Sequence, residues 1–359
     1  MALNSTSLNT ESNQPSRLGY LVITLCVTAT VFAVFVQFSG INLTPAATFS
    51  DMVYGKAARP FVYRALMPVS IRLLASIVPP HTKAAVSSKL GENHLAQEVL
   101  SRFNSEPECA VESVIALALL FLSLLGFVYA LRYLLTGVFR APHAFSDLVP
   151  LLAVLGLVPF FTVVPVFNPG YLYDFSTLLL FTLGLGLMVR AKWRAYLLIF
   201  VLGCLNKETA ILLTLVFAVH FYRNPRIDRT RFAGILSLQI VVFAGIRLLV
   251  TWLFKENPGS LMEFHLHRHW DVFKRYPLLV MASTLLWILI AFLMFYKWKE
   301  KPNFLLHGTL IIIPLFILYM GWGWPYELRV FYEVYPIVIL LSAHTISGAL
   351  GMKVTAVET

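Results

Sequence analysis

The sequence predicts an all-α fold: a polytopic integral-membrane helical bundle of about nine or ten membrane helices. A short broken hairpin is expected among them, with an interfacial helix in the first outer loop. Three observations carry this. Of 359 residues, 58% are hydrophobic and only 13% charged, against roughly 45–50% and about 25% in soluble domains. The apolar residues gather into continuous runs of about 17 to 25, enough to cross a ~30 Å hydrocarbon core as helices. Short alternating segments of the kind that build a membrane barrel do not occur. The 28 Lys and Arg residues fall into dense short clusters, and such clusters set orientation in membrane proteins.

In chain order, residues 1–16, rich in Ser, Asn and Thr, read as a disordered cytoplasmic tail. Leu18 to Phe38 exceeds a signal-peptide core and lacks a small-residue cleavage site, so it reads as a retained first span. A single transmembrane domain then covers 17–349, and 350–359 is a second cytoplasmic tail. With the N-terminus in the cytoplasm, 39–110 is a long outer loop. Within it, Arg59-Pro60 leads through Arg64 and Pro68 into an apolar stretch at 69–78, an interfacial or re-entrant helix halted by Pro79-Pro80. Spans are expected at 111–135, 147–167 and 175–189, with a polar outer turn from Asn168 to Asp174. Others follow at 232–254, 277–296, 303–321 and 330–349, the outer loop 255–276 separating the first two.

The stretch 195–222 poses a parity problem. Arg190, Lys192 and Arg194 precede it, and Arg223, Arg226, Arg229 and Arg231 follow it; both clusters look cytoplasmic. One continuous helix would put one cluster outside. Two arms of about 11–13 residues, rising roughly 17–20 Å, keep both inside. Asn206-Lys207-Glu208-Thr209 then forms a tip that stops short of a ~30 Å core. Non-helical backbone at such depth requires protein or water around it. The hairpin leaves 14 Lys and Arg against 5 acids on the cytoplasmic side, and 14 against 13 elsewhere.

Several function classes drop out. Cys26, Cys109 and Cys204 offer neither a disulfide framework nor a CxxC metal pattern. The positive charge belongs to membrane orientation, because no basic soluble module exists to bind nucleic acid. His265, His267 and His269 alternate, yet on a helix only His265 and His269 share a face, and no fourth ligand is placed by spacing. An interfacial histidine/tryptophan cluster is the better reading, and no metal site is assigned.

The remaining polar signals gather on the outer side: Asp51, Tyr54, Arg59 and Arg64; Asn168, Tyr173 and Asp174; Asn206, Lys207 and Glu208; and Glu327, Arg329 and Glu333. Cations there neutralise phosphate oxygens, and a carboxylate can take a proton from an attacking hydroxyl. Each group also has a structural reading. Asp51 is either a general base or a helix-capping acid. Arg59 and Arg64 either bind phosphate or anchor a helix by snorkelling. Tyr173 and Asp174 are either substrate contacts or an interface anchor and an N-cap. Lys207 and Glu208 either serve a ligand or bridge each other. Arg329 pairs with Glu333 if the segment is helical.

The order of these features resembles a known family. A first span precedes Asp51-x-x-Tyr54, a Pro/Arg-containing interfacial helix and a polar outer turn. An apolar span ending in a basic cluster and a short hairpin with a Lys-containing tip come next. Over about residues 18–222 this is similar to the C-type membrane glycosyltransferase superfamily, whose members use polyprenyl-phosphate sugars or lipid-linked oligosaccharides. The resemblance implies Asp51 as catalytic base, acceptor or donor contacts around Asp174, and Lys207 on a donor phosphate. It implies membrane lipid and a lipid-phosphate-linked sugar donor as partners, and a bacterial inner membrane as the location. No cofactor is demanded. A divalent metal is left open without a ligand motif, and Asp51 lacks the adjacent second acid many members show. A transporter or flippase for a polar or lipid-linked solute, built on the same broken hairpin, is the competing expectation, and a non-catalytic membrane protein the third.

Overall fold

The computed structural model describes residues 17–102, 109–162, 170–222, 224–260, 264–325 and 327–357. The expected 1–16 tail, Asn168, Arg223 and residues 358–359 lie outside these. The first helix is α1 (Arg17–Ser39), and the loop after it holds α2 (Phe49–Tyr54), α3 (Leu66–Ile77), α4 (Pro80–Glu92) and α5 (His94–Ser101). The bundle continues with α6 (Ala110–Val138), α7 (His143–Leu155), α8 (Val158–Thr162), α9 (Asp174–Val189), α10 (Trp193–Asn206), α11 (Leu212–Phe221) and α12 (Arg229–Leu253). It closes with α13 (Leu266–Arg275), α14 (Pro277–Phe295), α15 (Asn303–Gly308), α16 (Ile312–Trp322) and α17 (Tyr335–Ala349). Two short strands, β1 (Phe139–Arg140) and β2 (Thr355–Ala356), pair antiparallel.

Among the described residues the fold is all-α apart from that one ribbon. Six helical stretches among the described residues are long and apolar enough to cross a membrane: 17–39, 110–138, 143–162, 229–253, 277–295 and 303–322. Five apolar helices are shorter, namely α3, α9, α10, the 208–221 segment and α17. The expectation of nine or ten membrane helices therefore depends on these short elements. Their brevity has a common geometric consequence, since α9, α10 and α17 are 16, 14 and 15 residues long, or roughly 21–24 Å. By contrast α6 has 29 residues and α12 has 25, or about 37–44 Å.

Cross-contacts sort the connections onto two ends of the bundle. At one end Arg64 meets Glu208, Lys207 meets Glu333, and Arg329 meets Asp174. Arg59 there reaches the Gly259 carbonyl. At the other end β1 pairs with β2, Arg190 bonds Tyr133 and Thr136, and Lys301 bonds Thr345. The 195–222 stretch is two antiparallel arms. Trp193 at the start of α10 packs on Phe221 at the end of α11, with ring centroids 5.1 Å apart. Lys207 breaks the helix with φ −158° and ψ 144°, and one 3₁₀ turn, Glu208–Ile211, starts the return.

Packing is densest where α6 meets α9, burying Phe127, Leu131 and Leu134 together with Leu178 and Leu185. Helix α3 buries Met67, Ile71 and Ala75 at i, i+4, i+8 and leaves Leu73, Leu74 and Ile77 exposed, an amphipathic face suited to an interface. Pro79 and Pro80 end α3, but Pro80 also opens α4, where its missing N–H costs nothing. Helix α14 is exposed along most of its apolar length, from Leu278 to Phe295. Such a surface is tolerable only against lipid or another chain.

Candidate functional site

The site is built from the start of α9, the end of α10, the Arg64 segment before α3 and the 327–333 segment before α17, with Arg247 of α12 reaching in. Gly170 forms a parallel bridge with Ile41, its N–H bonding the Gly40 carbonyl at 3.0 Å. This pins the segment that leads into α9. Asn42 reinforces it by accepting the Leu172 N–H at 3.1 Å. Tyr171 and Tyr173 then stack with centroids 5.2 Å apart. Asp174 does not cap α9 in the expected sense: its carboxylate accepts the Tyr171 N–H at 2.8 Å, closing the turn behind it.

Asn206, at the end of α10, is buried. It accepts from the Ser176 hydroxyl at 2.7 Å and donates to Thr177 Oγ1 at 2.8 Å and the Tyr173 carbonyl at 3.1 Å. All three partners belong to the start of α9, so Asn206 sets the position of the hairpin tip. The tip residues then point apart. Glu208 takes a two-pronged contact from Arg64, at 2.6 Å and 3.2 Å, and Arg247 lies 4.0 Å from Oε2, the oxygen that Arg64 Nε also contacts. Lys207 pairs with Glu333 at 2.9 Å, and Thr209 donates to the same carboxylate. The Lys207–Glu208 bridge open to the sequence is replaced by these two separate pairs. The extended backbone at Lys207 turns its side chain away from its neighbour's.

Arg329 does not meet Glu333 as helical spacing would require. Residues 328–331 form a 3₁₀ turn. The guanidinium bonds Glu327 at 2.8 Å and lies 3.6 Å from Asp174, with the Tyr171 ring 4.1 Å beneath it. Burial works to raise the Glu327 carboxyl, but the Arg329 charge and the Trp324 amide outweigh it and hold it below its usual value. Arg64 also donates to the Tyr173 hydroxyl and lies 4.4 Å over its ring.

Four cations (Arg64, Lys207, Arg247, Arg329) thus interlock with four carboxylates (Asp174, Glu208, Glu327, Glu333). Arg247 sits six residues before the end of α12, so the cluster is recessed by about 9 Å below that end. Glu333 is fully buried, whereas the Glu208 side chain is 40% exposed. A cleft of about 10 Å³ lies under the tip, between Thr177, Asn206 and Leu213.

Three sequence candidates make no ion pair or hydrogen bond with this cluster among the described residues. Asp51 accepts from the Thr48 hydroxyl at 2.6 Å while Thr48 accepts the Asp51 N–H at 3.2 Å, a reciprocal cap on α2. Tyr54 turns to Glu112, which also pairs with Lys83 at 3.0 Å. Burial first, and the Glu112 charge second, push the Tyr54 hydroxyl up to about 12. Arg59 bonds the Gly259 carbonyl at 2.8 Å. His265 and His269 face the 321–323 segment, His269 lying 3.0 Å from the Gly323 carbonyl, while His267 is exposed. Among the described residues no three His, Cys, Asp or Glu side chains converge as a metal-binding group.

Arg247 and Tyr171 belong to the site without having been given a role, and Thr209, named as part of the tip, joins it through Glu333. For Arg247 a signal existed, since it is a lone arginine deep in an otherwise apolar run. Comparison of the chain with protein-family models, curated proteins and solved structures returns no match.

Proposed function

We propose that this chain is an integral-membrane glycosyltransferase of the C type, transferring a sugar from a polyprenyl-phosphate carrier to an acceptor hydroxyl. The recessed cluster would face the outer side of a bacterial inner membrane, with the N-terminus in the cytoplasm. Counting α9, both hairpin arms and α17 as membrane helices brings the number to ten. The carrying observation is the convergence of Arg64, Lys207, Arg247 and Arg329, from four separate segments, at one end of the bundle. A leaving lipid phosphate needs such a preorganised set of donors.

In the reaction the acceptor oxygen bonds the anomeric carbon as the bond from that carbon to the phosphate oxygen breaks. The electron pair leaves with the phosphate, and the hydroxyl proton goes to a carboxylate. Asp51 is the proposed base. Its carboxylate accepts from Thr48 and has no cation beside it among the described residues, so its lone pairs are not committed to an ion pair. The carboxylates in the cluster act as placeholders, keeping the cations aligned until a phosphate takes their longest contacts, Arg247–Glu208 at 4.0 Å and Arg329–Asp174 at 3.6 Å.

The test is transfer of labelled sugar from polyprenyl-phosphate donors by the purified chain in nanodiscs. Arg64→Gln should lower turnover by about 10²–10³-fold, the usual weight of one transition-state donor. Asp51→Asn should abolish transfer without loss of expression; unimpaired transfer would remove Asp51 from the mechanism. No product from any donor, in protein shown to be folded, would count against the transferase reading itself.

A further inference from the structure

A larger cavity, about 640 Å³, lies at the end of the bundle away from the charged cluster. Its walls include Arg132, Tyr133 and Thr136 from α6, Arg140 from β1, and His143 and Ser146 from α7. The charge around it is mainly positive. Arg190 stacks on the Tyr133 ring at 4.2 Å and bonds Thr136 at 2.8 Å, and Lys192 lies 5.8 Å from the same ring. Among the described residues one carboxylate, Asp147, already taken by Arg132 at 2.6 Å, stands against Arg132, Arg140, Arg190 and Lys192. Arg140 is exposed. The Tyr133 hydroxyl is buried and has no hydrogen-bond partner among the described residues.

Two apolar stripes continue from this cavity along the outside of the bundle. On α6, Tyr129 lines the cavity and Leu122 lies two turns below it on the same face, both exposed. On α7, Leu148, Leu152 and Leu155 form an exposed i, i+4, i+7 row. A cationic, hydroxyl-bearing pocket opening onto lipid-facing stripes matches one molecule: a phosphate headgroup with acyl chains attached. Basic pockets between membrane helices hold anionic headgroups in this way.

We propose that this cavity binds the phosphate headgroup of an anionic membrane phospholipid, its acyl chains lying along α6 and α7. Arg140 and His143 contact the phosphate from the mouth, and Arg190 holds the Tyr133 ring in the wall. The site stands apart from the proposed transfer chemistry and does not depend on it.

The experiment uses the full chain in phosphatidylcholine nanodiscs with phosphatidylglycerol titrated in, reading retained lipid by native mass spectrometry. Wild type should retain phosphatidylglycerol in preference to phosphatidylcholine. Arg140→Gln should weaken retention about fivefold, the weight of one surface cation, whereas Lys255→Gln, exposed beyond α12 at the cluster's end of the bundle, should leave it unchanged. His143→Gln removes the second contact at the mouth and leaves Arg140 in place, so it decides the matter if Arg140→Gln does not fold; it too should weaken retention. Equal retention by wild type and the cavity variants would overturn the proposal. Competition by inorganic phosphate alone, at concentrations matching the lipid, would also overturn it by showing a soluble-phosphate site.

Discussion

At the residue scale the decisive group is Lys207. Its partner Glu333 is fully buried and has its other oxygen unsatisfied among the described residues. Lys207→Met therefore leaves a charge with only Thr209 to answer it. Removing one member of a buried pair costs about 3–5 kcal/mol, and the Thr209 contact places this pair near the lower figure. The expected outcome is a clear fall in thermal midpoint for Lys207→Met, with most of it restored in Lys207→Met/Glu333→Gln. If the single variant matches wild type, the pair is not carrying stability. The sequence placed a lysine and two glutamates in this neighbourhood but left Lys207 free to bridge its neighbour Glu208. Which carboxylate it meets depends on one extended residue at the hairpin tip, and local spacing does not encode that.

At the element scale the hairpin and the Gly170 bridge set the site's shape. A Cβ at Gly170 would stand 2.4 Å from the Phe35 ring and 3.1 Å from the Gly40 carbonyl. Gly170→Ala must then move either α1 or the turn that carries Tyr171 and Asp174. Overpacking of this kind costs about 1–3 kcal/mol. Both the thermal midpoint and any sugar transfer should fall, transfer more steeply because Tyr171 backs Arg329. A variant with wild-type transfer would show that this turn does not position the cluster. The hairpin itself was legible from charge parity, since two basic clusters cannot flank one crossing without putting one outside. Its aromatic closure, Trp193 on Phe217 and Phe221, was not, because nothing in periodicity says which rings meet.

At the scale of the whole molecule, the connections divide into an end bearing the ion-pair cluster and an end bearing the basic turns and the large cavity. This alternation makes a two-sided prediction. In sealed spheroplasts with Cys26 replaced by Ser, a membrane-impermeant maleimide should label Lys56→Cys and not Lys299→Cys. In inside-out vesicles the pattern should reverse. Labelling of both from the same side would contradict the assignment of ends. Asp51, Tyr54 and Arg59 belong to the cluster's end yet make their own contacts with Thr48, Glu112 and Gly259. Grouping by side of the membrane is therefore coarser than grouping by contact.

The sequence by itself determined the helical class, the positions of the apolar segments, the hairpin and the side on which most polar residues gather. Those follow from hydrophobic run length and from the cost of moving Lys and Arg across a bilayer, both of which are local or additive along the chain. Only the tertiary structure decided the pairing. Arg64 with Glu208, Lys207 with Glu333, Arg329 with Asp174, and the entry of Arg247 join segments up to 155 positions apart. Such pairs are fixed by where short helices end in three dimensions, because charges in a low-dielectric interior take the partner that packing brings within reach.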